Sequence, residues 1–89
     1  MNKRDLKKSI NNLCSELFAE CVAISLYDEK VDKSNVEALL QSIVSMNCDF
    51  VNRVSHPEPG LAQKDYFKKL TTSFEEQVTE IIDQMNNMH

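Results

Sequence analysis

The chain has 89 residues, 42% of them hydrophobic and 27% charged, with a formal net charge of −4. That mixture lies away from the charge-rich signature of disorder and can fill one core, so a single helical domain over residues 1–89 is expected, too small to enclose a deep active site. The acidic balance argues against strong nucleic-acid binding, and the longest unbroken apolar run, Cys21 to Ile24, is far short of the roughly 20 residues of a membrane span.

One glycine and two prolines leave few places for tight turns, which disfavours a multi-stranded sheet and points to an all-α fold. Three cysteines without a C-x-x-C pair fit free thiols in a reducing compartment. The basic start, Met1 to Lys8, is interrupted by Asn11, Asn12, Ser15 and Glu16 before an apolar signal segment can form, so a cytoplasmic location is expected.

The first helix is predicted over about residues 3–27. Leu6, Ile10, Leu13, Leu17, Cys21 and Ile24 recur at intervals of three and four and form its inner stripe. Cys14, Phe18 and Val22 widen the apolar arc to roughly 200°, more than a lone three-helix bundle usually covers. These three are candidate interface residues, and a second copy of the chain is the simplest partner to cover them. The polar run Asp28 to Lys33 ends the helix.

The second helix is predicted over residues 34–54. Ser34 and Glu37 have capping-box spacing, each side chain able to bond the other's backbone amide. Val36, Leu40, Ile43, Phe50 and Val54 mark the inner face, with Leu39, Val44, Met46 and Val51 on its shoulders. Steps of 100° per residue put Asn47 near the centre of that face. A buried amide left unpaired costs on the order of 1 to 3 kcal/mol. The Thr71 hydroxyl or a helix carbonyl is the expected partner, and the pairing would fix bundle register or oligomer state as a core asparagine does in coiled coils. A slightly rotated helix would instead leave the amide wet. The segment Ser55 to Gly60, with both prolines and the glycine, stops the helix.

The third helix is predicted to begin between Leu61 and Asp65 and to span about residues 62–88. Phe67, Leu70, Phe74, Val78, Ile81, Met85 and Met88 form its stripe. Thr71, Thr72 and Ser73 are weak helix formers, but the stripe keeps phase through them, so one continuous helix is expected. Short links force neighbouring helices antiparallel, giving an up-down-up three-helix bundle able to dimerise through helix faces.

That topology segregates charge. Lys3, Arg4, Lys7, Lys8, Arg53, Lys64, Lys68 and Lys69 gather at one end against Asp5, Asp49, Glu58 and Asp65. The other end holds Lys30 and Lys33 against ten carboxylates: Glu16, Glu20, Asp28, Glu29, Asp32, Glu37, Glu75, Glu76, Glu80 and Asp83. The basic pole is a candidate site for phosphate, another anion or nucleic acid, although no aromatic side chains alternate with its lysines as they do in stacking platforms.

Catalytic and metal chemistry have little to stand on. Cys48, Asp49 and His56 contain the residue types of a thiol nucleophile and its base, yet nothing signals a lowered thiol pKa or a shaped pocket. Neither His56 nor His89 has ligand-spaced companions, and no cofactor is implied. Met46, Met85 and Met88 fit core filling.

The segments Leu17-Phe18-Ala19-Glu20-Cys21 and Ser55-His56-Pro57-Glu58-Pro59-Gly60 resemble small uncharacterised helical bacterial proteins of the kind found in gut anaerobes. The resemblance covers most of the chain and implies no activity, ligand or catalytic residue. The expected function is therefore a noncatalytic module that associates with itself or another protein. The alternative is a small anion or nucleic-acid binder using the basic pole.

Overall fold

The computed structural model describes residues 3–57, 59–60 and 62–88. Glu58, Leu61 and His89, which figured in the charge, helix-start and metal arguments, lie outside them. Three helices account for most of the described chain: α1 (Lys3–Tyr27), α2 (Lys33–Ser55) and α3 (Gln63–Asn86). They pack as an up-down-up bundle in which α2 is central, with α1 on one side and α3 on the other. The result is a rod of 49 × 19 × 17 Å.

The core is one apolar cluster running along the rod. α3 contributes Leu70, Phe74, Val78, Ile81 and Met85, as its periodicity requires. α1 contributes Ile10, Cys14, Leu17 and Cys21, so its inner stripe is centred between Ile10 and Cys21 and takes in Cys14, while Leu6, Leu13 and Ile24 are only partly buried. α2 buries Val36, Leu39, Ile43, Met46, Phe50 and Val54, while Leu40 lies at the edge and Val44 is exposed. In both helices the buried face is turned by about 30° from the expected one, counting 100° per residue. Each fully buried aliphatic side chain is worth roughly 1.5 to 3 kcal/mol, so these stripes hold the bundle together. Phe50 and Phe74 meet edge to face at 5.2 Å and join α2 to α3.

The turns correct one expectation and add two features. Asp32, not Ser34, caps α2: its carboxylate accepts the Ser34 amide proton at 2.8 Å, with its own backbone extended. Asp and Ser are comparable caps, so the choice falls to the residue at which the chain leaves the extended region. Asp28 accepts from the Lys30 amide in the same turn, and Val31 between these two aspartates is buried. At the other end the His56 backbone amide, rather than its ring, bonds the last turn of α2 through the Asn52 carbonyl. The Tyr66 hydroxyl donates to the Arg53 carbonyl at 2.9 Å, so α3 helps satisfy the C-terminus of α2. Gly60 takes φ +90, a left-handed conformation that glycine adopts without steric cost.

α3 is continuous through Thr71, Thr72 and Ser73. The Thr71 and Thr72 hydroxyls donate to the carbonyls of Phe67 and Lys68, four residues back, which satisfies them without leaving the helix.

Candidate functional site

The widened arc of α1 meets the outer shoulder of α2 in a groove lined by Cys14, Ser15, Phe18, Ile43, Val44 and Asn47. It lies at mid-length of both helices. Cys14 and Ile43 are buried and make its floor. Cys14 is thus a core residue in this chain: turning α1 by about 30° brings it from outside the expected stripe into the buried one. Phe18 is 38% exposed and Val44 is 50% exposed, and they form the rims. On α1 the rim continues through half-buried Val22 to Leu26, which is 75% exposed, at spacings of four that place all three on one ridge.

Asn47 stands on the wall of this groove, not in the bundle centre. The same turn of α2 that buries Leu39 and Met46 swings Asn47 outward, and its residue as a whole is only partly buried. Its side-chain oxygen Oδ1 is nonetheless shielded and accepts no hydrogen bond. Thr71 does not reach it: Thr71 is exposed on α3 and bonded to its own helix. The expected Asn47–Thr71 pair is therefore absent, and Asn47 belongs to the α1–α2 surface together with Phe18 and Val44.

The basic residues share one end of the rod but not one site. Lys3, Lys64 and Lys68 line a cleft where α1 and α3 begin, together with Leu6, Phe67 and Glu75. Lys68 and Lys69 border a second, shallower surface with Asp65 and Thr72. Arg4, Lys7 and Lys8 take up none of these positions. Arg53 is engaged: Asp49 holds it at 3.0 Å, and its guanidinium lies 4.8 Å from the centre of the Phe50 ring. A carboxylate accompanies the lysines in each cleft, which lowers their pull on an anion.

Cys48 and His56 are both exposed on α2 and its end, eight residues apart, or about 12 Å along the axis, so they form no thiol–imidazole pair. Burial pushes the Cys14 and Cys21 thiols above their ordinary value, the reverse of what a nucleophile needs. Among the described residues no group of three or more His, Cys, Asp or Glu is placed to hold a metal ion. Among the same residues, no helix is long and apolar enough to cross a membrane.

Comparison with family models, with curated proteins and with solved structures finds no match.

Sequence reasoning identified Phe18 and Val22 by the breadth of the arc on α1. It missed Val44, which it placed on the shoulder of a buried face. The signal that locates Val44 is its position one residue after Ile43 and four before Cys48, on the side of α2 that its polar neighbours leave open.

Proposed function

We propose that this chain is a noncatalytic helical module that works by binding a polypeptide, itself or another protein, along the α1–α2 face. The observation that carries this reading is the pairing of Phe18 and Val44 as exposed apolar rims of one groove. Apolar side chains concentrated on one face mark an interface. The exposed thiol of Cys48 fits a reducing, cytoplasmic setting.

The rival, an anion or nucleic-acid binder at the basic pole, has weaker support because its cations are divided between clefts that also hold Glu75 or Asp65, and Arg53 is already paired. Four baits decide between the surfaces. Wild-type protein and Ile82→Glu, altered at a half-exposed residue on α3 away from the groove, should recover the same partner from the native host, and Phe18→Glu and Val44→Glu should lose it. Equal recovery by all four would reject the α1–α2 face as the working surface. Salt-sensitive binding of DNA or RNA that survives both groove substitutions would put the basic pole in its place.

A further inference from the structure

We infer that the occupant of the groove is a second copy of this chain, docked antiparallel about a twofold axis that crosses the rod near Phe18 and Val44. The inference rests on the reading of the α1–α2 face as the working surface and adds the partner and its orientation.

Charge layout decides the orientation. On this face the start of α1 carries Arg4, Lys7 and Lys8 with Asp5 beside them, and the turn into α2 at the other end carries Asp28, Glu29, Asp32 and Glu37 against Lys30 and Lys33, so the first end is net basic and the second net acidic. A twofold axis perpendicular to the rod at mid-length lays each basic start beside the partner's acidic turn. A parallel dimer through the same groove would set Arg4, Lys7 and Lys8 against their own copies, and the acidic turn against itself. Opposed charges steer association and like charges in contact penalise it, so the self-complementary arrangement is the antiparallel one.

Geometry and hydrogen bonding agree. The rims Phe18 and Val44 lie close to the axis, so each copy's ridge meets the other's groove in the isologous manner of a twofold dimer. The same operation brings Ser15 and Asn47, both lining the groove, toward their counterparts. Ser15 is exposed, so its hydroxyl can bond across the axis, whereas Asn47 Oδ1 is shielded inside the chain and takes no part.

Sedimentation equilibrium and a distance measurement test this. Wild-type protein and Ile82→Glu should be dimeric. Phe18→Glu and Val44→Glu should weaken the dimer by at least about 30-fold while circular dichroism stays that of the folded bundle. Raising the salt should weaken the wild-type dimer several-fold. A spin label at Arg4→Cys, with the exposed thiol removed by Cys48→Ser, should report a separation of about 40 Å across the dimer, because the label lies some 14 helical residues from the axis in each copy. A label separation under about 20 Å would mean parallel packing and overturn the orientation. A wild-type chain that stays monomeric at high concentration would overturn self-association while leaving the groove open to a different polypeptide, which the bait comparison reads separately. A dimer indifferent to both Phe18→Glu and Val44→Glu would overturn the inference and the surface together.

Discussion

α1 and α3 are nearly equal in length, 25 and 24 residues, yet they treat their apolar side chains differently. α3 keeps a narrower stripe and buries most of it, with Tyr66 and Phe67 partly buried near its start and Ile82 partly exposed at its margin. α1 buries its stripe and still presents Phe18, Leu26 and Tyr27 to the outside. A helix on the flank of a bundle needs an apolar arc only as wide as the groove it enters. α3 has that width. The surplus on α1 is one helix neighbour too many for this chain, and that surplus defines the candidate interaction face.

The sharpest test of the comparison uses the thiols. If the buried stripe of α1 takes in Cys14, then Cys14 and Cys21 react with a thiol reagent only when the bundle opens, slower than exposed Cys48 by about a thousandfold or more. Mass spectrometry of partly modified native protein should show a single labelled site at Cys48. Rapid labelling of Cys14 would restore the original, unturned placement of α1. The same burial raises both thiols above the ordinary value of 9.0. Since their folded-state values exceed the unfolded ones, the stability linked to keeping them neutral is complete at lower pH and is lost as pH climbs through the folded-state values. Thermal melts should therefore show an alkaline decline that Cys14→Ala reduces.

A pair of phenylalanines gives the next largest effect. Phe74 is 8% exposed and packs edge to face on Phe50, so Phe74→Ala should lower stability by about 3 to 5 kcal/mol in urea titrations. Phe18→Ala, measured on dilute monomer, should lower it by about 1 to 2 kcal/mol, because a ring 38% exposed gives up less buried area and leaves an open, water-filled notch rather than a cavity. Similar losses at the two sites would mean that Phe18 is a core residue and that α1 carries no surplus.

How far these features were legible follows from which forces set them. The stripe of α3 was readable because one apolar neighbourhood selects it and no competing residues widen it. The helix limits came out within one or two residues, where Tyr27, Ser55 and Asn86 stand next to polar or proline-rich segments. The facing of α1 and α2 was not readable to better than about 30°, because both have broad arcs and their mutual packing chooses the centre. That error misplaced Cys14, Val44 and Asn47 together. Val31 was hidden by its polar surroundings, and Tyr66 by the fact that its partner is a backbone carbonyl, which no side-chain pattern announces.

A smaller effect separates the two candidate caps of α2. Asp32→Ala should cost about 1 kcal/mol, since it frees the Ser34 amide, and Ser34→Ala should change stability by no more than a few tenths of a kcal/mol. The reverse order would return the start of the helix to Ser34 and lengthen the turn that sets α1 against α2.

The smallest expected effect has the opposite sign and bears most directly on Asn47. Thr71 is exposed, and its hydroxyl only bonds back to the Phe67 carbonyl, so Thr71→Ala removes no contact between helices. Alanine is the better helix former by about 0.5 kcal/mol, and the variant should be equal to wild type or slightly more stable. Had Thr71 been the partner of Asn47 across the core, the same change would leave a buried amide unpaired and cost about 1 to 3 kcal/mol. A urea titration of Thr71→Ala therefore distinguishes an asparagine that serves the inside of the bundle from one that waits on its surface, and a loss above 1 kcal/mol would move Asn47 out of the groove on which the association rests.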